Sequence, residues 1–341
     1  MKKNLLSRYV HRPGRHCGST ALSNWLRYFG HDLDEPTAFG LGAGLGFVYF
    51  ESPALSPSRM ILTRAAFLEV QTWRHLGIPV DDRSGADAEA IWETNKRMID
   101  RGLPVIIGCD LAHLPYWNTK THFNGHRITI VGYDDDRRVV LLADTHFEGL
   151  QECDYDSLLQ SRTSKHPPSL ATDSLYHDPD PSTSIRPLAD AFREALQAQT
   201  KEMLHHRMGE HGGVTALRRL AERLGSWGEA KDWKWAFRFS YQVIEKRGTG
   251  GAAFRKMYAE FLERAESILP AVERLGLASL MRDIQADWEA LATEFYRLSE
   301  LESPGDTSSA VRLVAALADR EEAWAQRVAS APELQPQTGR A

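Results

Sequence analysis

Cys17 stands between His16 and Gly18 in the stretch GRHCGSTAL at 14–22, where a turn gives way to a run of helical apolar spacing. A thiol at the N-terminus of a helix is held toward thiolate, because the unpaired N–H groups and the helix dipole favour negative charge there. Catalysis by such a thiolate also needs a base within proton-exchange reach and a third group that orients the base. His126, at the head of HRITIVGY, and Asp144, 18 residues later in LLADTHF, are of the required types. If 126–147 folds as two antiparallel strands around the turn Asp134–Arg137, the two side chains return to the same end of a sheet, where Asp144 orients His126 and His126 faces Cys17. Alone, Cys17 reads as a small packed residue. With both partners it reads as a nucleophile.

Other residues of chemical interest leave alternatives open. Cys109, inside the apolar run VIIGC, is expected in the core, and Cys153 lies in an acidic stretch that raises a thiol pKa. His122 and His126 are four apart but precede a strand, so the helical spacing that would aim both at one metal is absent and no metal is expected. His16 either tunes the thiol or caps the helix. Asp110 and Tyr116 follow a strand end, a usual place for substrate contacts; the alternative is a strand-end cap and a half-buried aromatic. The loop FGLGAGLGF at 39–47 has no GxGxxG in register and no strand before it, which argues against a dinucleotide or phosphate site and for backbone packed close to the active-site helix. GTGG at 248–251 is either an inter-helix turn or a site-facing loop that brings Arg255 to an acidic substrate or a carrier phosphate.

The elements that must position these groups follow from pattern. Leu22, Trp25, Leu26 and Phe29 recur at helical spacing, with Gly30 as a stop. Helices are expected near 58–76 and 86–100, a buried strand at 103–111, and two strands at 126–147. Five prolines with many Ser, Thr and Asp residues mark 161–187 as a linker or surface loop between a catalytic domain at 1–160 and a helical domain at 188–330, whose aromatic stripe at 227–241 packs its core; 331–341 reads as a disordered tail. At 341 residues, with 42% hydrophobic and 26% charged residues, the chain is long enough for two globular domains. A net charge of -5 argues against a nucleic-acid partner. Three cysteines suit free thiols in a reducing compartment, and no apolar run is long enough for a membrane span or a secretory signal, so a cytoplasmic protein without a membrane partner is expected.

The order of a cysteine at a helix start, then histidine and carboxylate on successive strands, resembles papain-like enzymes. GHRITIVGYDDD followed by LLADTHF is similar to their bacteriocin-processing-peptidase branch, in which a glutamine six residues before the cysteine helps form the oxyanion hole; His11 stands at that position here. HCGSTALSNWLRYFGHDL, FGLGAGLGF, LPVIIGCDLAHLPYW, HRITIVGYDDD and the later IEKRGTGGAAFRKMYAEFL together resemble the butirosin biosynthesis protein H family, over residues 15 to about 300. The resemblance implies an α+β, papain-like domain followed by a mainly helical one. It also implies an acyltransferase in specialised-metabolite biosynthesis, which takes an acyl group from the phosphopantetheine thioester of an acyl carrier protein and passes it through Cys17 to an amine acceptor, with no bound cofactor. The catalytic residues it implies are Cys17, His126 and Asp144, with His11 and His16 as oxyanion or supporting groups and Asp110, Tyr116 and Arg255 as substrate contacts. A cysteine peptidase or amidase with the same triad, and a non-catalytic binding protein of this fold, are the competing readings.

Overall fold

The branched apolar run at 103–111 and the paired runs at 126–147 form the middle of a sheet, as side chains that pack well on a pleated surface should. The computed structural model describes residues 2–166 and 173–336. In chain order its elements begin with β1 (Lys3–Leu5), α1 (Cys17–Tyr28), α2 (Glu35–Leu41), β2 (Leu45–Glu51), β3 (Arg59–Arg64), α3 (Leu68–His75), β4 (Val80–Arg83) and α4 (Ala88–Asp100). There follow β5 (Val105–Cys109), β6 (His126–Asp134), β7 (Val139–Ala143), β8 (Gln151–Asp154), α5 (Tyr155–Thr163) and β9 (Tyr176–Pro179). The remainder is helical: α6 (Leu188–Leu204), α7 (Gly213–Arg223), α8 (Trp233–Glu245), α9 (Arg255–Glu266), α10 (Pro270–Arg274), α11 (Leu277–Glu300) and α12 (Ser308–Ser330). A sheet with helices and a helical C-terminal part is compatible with the α+β class. Among the described residues no helix is long and apolar enough to cross a membrane.

The chain divides into two compact units, Met1–Ala38 with Gly77–Ser184, and Phe39–Leu76 with Ile185–Ala341. The first holds an antiparallel sheet in the order β4-β9-β5-β6-β7-β8, with β1 also paired to β6. Its core is built from Val105, Ile107, Ile128, Ile130, Val140 and Leu142, all fully buried, with Trp92 and Tyr133 among the aromatics. Between Ile130 and Gly132 the β6–β7 register shifts by one, so Val131 is an extra residue in β6. A one-residue slip would otherwise turn a strand's side chains to the other face, so the bulge decides which way the residues before it point.

The second unit corrects the contiguous division at residue 160. Residues 39–76 belong with the helices because the β2–β3 hairpin is apolar on both faces at its start and must be covered. Gln199 on α6 supplies what a third strand would: its amide accepts from the Leu45 N–H at 2.9 Å and donates to the Leu45 carbonyl at 2.8 Å. The helix expected over 58–76 is therefore a strand and a shorter helix, β3 and α3. The glycine loop, expected beside the active-site helix, packs within the second unit. A Cβ at Gly40 would lie 2.0 Å from the Phe261 ring, so its bare backbone is what lets α2 and α9 approach. Trp227 and Phe237 from the aromatic stripe are buried with Phe295 at their side, as expected of core.

The segment 161–187 is likewise more than a linker. It completes α5 and contributes β9, which pairs with both β4 and β5; residues 167–172 lie outside the described residues. Nor is the described part of 331–341 a loose tail. Leu334 is buried, and the Glu333 carbonyl accepts from Arg193; residues 337–341 lie outside the described residues.

Candidate active site

All of the groups around Cys17 that follow lie in the first unit. Cys17 is the first residue of α1 and is partly exposed. His16 caps the helix: its Nδ1 accepts from the Ser19 N–H at 3.2 Å, which satisfies one of the unpaired first-turn donors. Of the two readings of His16, the hydrogen bonding shows the helix cap.

The turn before the helix is held by Glu35, a residue the sequence reading did not single out. Its carboxylate accepts from the N–H groups of Arg15 and His16, at 3.0 and 2.8 Å, and from the hydroxyls of Ser19 and Thr20 at 3.1 and 3.0 Å. Gly14 fits beneath this knot only because it lacks a side chain; a Cβ there would be 2.1 Å from the Thr20 hydroxyl. The Gly14 N–H in turn donates to the Thr145 carbonyl at 2.9 Å, which ties the cysteine loop to the segment after β7.

His126 opens β6, and Asp144 follows directly on Ala143, the residue of β7 that pairs with Thr129. The two side chains meet: His126 Nε2 donates to Asp144 Oδ1 at 2.8 Å, both groups being buried. The Cys17 thiol and the His126 ring act on each other's charge. With Nε2 committed to Asp144, Nδ1 is the nitrogen left for the thiol. The three catalytic candidates are thus brought together.

Their electrostatics agree. Burial raises the Cys17 thiol pKa, but the His16 and His126 rings outweigh it and hold the thiol well below its ordinary value. Burial lowers the His126 pKa, yet the Asp144 carboxylate and the thiolate push it up to about 10. Burial also opposes the Asp144 charge, and His126, Trp117 and Tyr116 together keep its pKa below the usual carboxylate range. These directions favour a thiolate–imidazolium pair steadied by the Asp144 carboxylate. The other two thiols are the reverse: burial raises Cys109 far above its usual value, and burial with Asp154 pushes Cys153 up to about 12.

Several expected roles are corrected. His11 is placed as a supporting group: its Nε2 serves the carbonyls of Asp144 and Phe147, at 3.1 and 2.9 Å, and its Nδ1 receives the Asn24 amide at 3.3 Å. Tyr116 is the half-buried aromatic of the two readings offered, and its hydroxyl donates to Asp144 Oδ2 at 2.9 Å rather than to a substrate. Trp117 Nε1 joins it on the same oxygen at 2.7 Å, a partner the sequence reading passed over although it stands next to Tyr116. Asp110 is the strand-end cap. It is fully buried, with Oδ1 taken by the N–H groups of Ala112 and Phe123 and Oδ2 by His122 Nδ1 and the Ser164 hydroxyl. His122 therefore partners Asp110, not His126, and one ligand atom from each of Asp110, His113 and His122 lies within 4.8 Å of the others.

Arg255, expected as a substrate contact, lies in the second unit and is engaged by protein groups. Buried, it pairs with Glu321 through Nε and Nη2 at 2.8 and 2.9 Å, and its Nη1 donates to the Ala253 carbonyl at 2.8 Å. Trp288 stacks under the guanidinium and donates its own N–H to Glu321 at 2.7 Å. Three successive non-glycine residues, Ala252, Ala253 and Phe254, take positive φ to lead the chain into this position.

Residues 16–145 match the family model described as butirosin biosynthesis protein H, N-terminal, and residues 156–328 match one described as Domain of unknown function (DUF4872). The first model covers residues 16–145 only, while the second covers half of the chain, which belongs to that domain family. The N-terminal match opens at His16 and closes at Thr145, so it takes in Cys17, His126 and Asp144 and leaves out His11. A search of curated proteins found no significant match.

Proposed function

We propose that the protein is a papain-like cysteine acyltransferase of antibiotic-type biosynthesis, moving an acyl group from an acyl carrier protein thioester through Cys17 to an amine. The observation that carries this reading is the line Cys17, His126, Asp144, in which the carboxylate fixes the imidazole by one nitrogen and leaves the other to the thiol. That is the arrangement a covalent thiol catalyst needs.

The chemistry follows from the resting ion pair. The Cys17 thiolate attacks the thioester carbonyl, and the tetrahedral oxyanion forms at the N-terminus of α1, where the backbone N–H of Cys17 and the helix dipole favour negative charge. Collapse breaks the bond to phosphopantetheine sulfur, and that thiolate takes the proton of the His126 imidazolium. One thioester has replaced another, so the step is nearly balanced. Neutral His126 then removes a proton from the incoming amine as its nitrogen bonds to the acyl carbon, and Cys17 leaves as thiolate, which restores the ion pair. A peptidase must instead protonate an amine leaving group, whereas this cycle never expels one.

The deciding experiment is intact-mass measurement after incubation with acyl carrier protein thioesters. A mass gain equal to the acyl group, absent in Cys17→Ala and discharged by an added aminoglycoside-type amine, supports the reading. No adduct with any thioester, or discharge by water at the same rate as by amine, sinks it.

A further inference from the structure

Beside the candidate active site lies a second group of side chains that the transfer chemistry does not use. Cys109, the last residue of β5, pairs with His126 across the sheet, so Asp110 leaves the sheet at the end where the catalytic histidine sits. The chain then makes two short turns of 3-10 helix at Leu111–His113 and Pro115–Trp117 before it returns through His122 to His126. We infer that Asp110, His113 and His122 form a binding site for one divalent transition-metal ion, Zn2+ being the representative case.

The donor set is one carboxylate and two imidazoles, the mixed oxygen and nitrogen ligation that suits such ions. One ligand atom from each residue already lies within 4.8 Å of the others, and bond lengths of about 2.0–2.2 Å require ligand atoms roughly 3.3–3.5 Å apart. A movement of about an ångström by the half-buried His113 side chain closes the cage on the other two ligands.

Asp110 itself is preset. Two backbone N–H groups and the Ser164 hydroxyl fix the carboxylate in a fully buried position, the kind of outer support that orients a ligand before the metal arrives. The His122 ring is fixed as well, stacked at 3.6 Å on His166 and in edge contact with His113. His122 Nδ1 and Asp110 Oδ2 are hydrogen-bonded, 2.8 Å apart. An ion bound between them replaces that hydrogen bond, and the neutral imidazole carries its proton on the other ring nitrogen. Three protein ligands leave a fourth position for water.

The site closes the stretch 110–122, and inside it stand Tyr116 and Trp117, the two donors on Asp144. The bound ion therefore stiffens the segment that holds the catalytic carboxylate, without touching the reacting atoms.

The test uses the full chain, free of any affinity tag, carrying Cys17→Ala so that the active-site thiol cannot bind metal. Each protein is loaded with Zn2+, dialysed against metal-free buffer and assayed for zinc, and dissociation constants are measured by competition with a chromophoric chelator. One zinc per chain is expected in the parent, with affinity at least ten-fold weaker in His113→Ala and in His122→Ala. His113→Ala is the stricter variant, because it leaves the hydrogen bonds of Asp110 in place, and circular dichroism confirms its fold. No retained zinc in the parent, or equal affinity in the parent and His113→Ala, overturns the site.

Discussion

His126 Nε2 lies 2.8 Å from Asp144 Oδ1, although Asp144 is not the residue opposite His126 in the ladder. Ala143 pairs with Thr129, and the carboxylate that follows reaches diagonally back along β6 to the imidazole. The diagonal is available because the strand has ended: Asp144 is free of ladder bonds and turns, its carbonyl accepting from the Phe147 N–H and from His11. The catalytic carboxylate thus has its backbone and side chain fixed by different parts of the first unit.

The thiolate–imidazolium pair sets a pH window. Cys17 is lowered, so its thiolate is lost only as pH falls through that depressed value; His126 is raised, so its imidazolium is lost as pH rises through about 10. Between these limits the iodoacetamide labelling rate at Cys17 should stay nearly flat. An ordinary thiol would instead lose about ten-fold per pH unit below ~8.5. His126→Ala should restore that ordinary slope. Labelling of the wild type that climbs ten-fold per unit up to ~8.5 would refute the ion pair, and Cys109 and Cys153 should stay unlabelled in the folded protein.

Tyr116→Phe and Trp117→Phe each remove one of the two donors on Asp144 Oδ2. A hydrogen bond to a charged group is worth about 1.5–3 kcal/mol, so each change should slow acyl-enzyme formation on the order of ten-fold. The effect should appear in kcat, with KM little changed. A loss confined to KM would mean that these aromatics touch substrate after all.

Much of this site was legible in the sequence, and its gaps have physical causes. Cys17 and α1 followed from apolar spacing, and His126 and Asp144 from two branched runs around an Asp-rich turn. The bulge at Val131 was not legible, because an extra residue in a uniformly apolar strand leaves no mark on the pattern. Strands β4 and β9, VDDR and YHDP, carry too few apolar residues to show alternation, and they exist because β5 needs a neighbour. Glu35 could not be found either: a carboxylate at the head of a short helix does not reveal that it reaches back to the cysteine loop. Arg255 was misassigned because an arginine after a glycine-rich turn looks solvent-facing, whereas Glu321, the partner that buries it, is 66 residues away.

Glu35→Ala should loosen the nucleophile's loop. It strands two backbone N–H groups and two hydroxyls in a half-buried place. Unsatisfied donors of this kind cost about 1–3 kcal/mol each when water cannot reach them, and a total on the order of 3 kcal/mol is expected in urea unfolding. Glu35→Gln should recover part of the loss, since its amide oxygen still accepts. Equal stability of both variants and the wild type would show that the knot does not support the fold.

Arg255→Ala should cost about 3–5 kcal/mol, the usual penalty for leaving one partner of a buried pair uncompensated. Chemical denaturation reads this directly. The folded fraction should still label at Cys17 with wild-type kinetics, because the guanidinium's partners are all internal to its own unit. Weakened acyl-donor binding with unchanged stability would instead return Arg255 to the role of a substrate contact.

His11→Ala separates two jobs that the position could perform. An oxyanion donor acts only on the tetrahedral species, so its loss would lower the rate of acyl transfer by about 100-fold or more while leaving thiol alkylation untouched. A residue that holds the carbonyls of Asp144 and Phe147 acts through the carboxylate, so its loss should disturb the His126–Asp144 bond and with it the thiolate. The expected result is the second. Alkylation of Cys17 at low pH should slow together with acyl transfer, the unfolding midpoint should drop, and His11→Gln, whose amide can still donate to one of the two carbonyls, should recover part of both. An unaltered alkylation profile beside a large transfer defect would reassign His11 to the oxyanion hole.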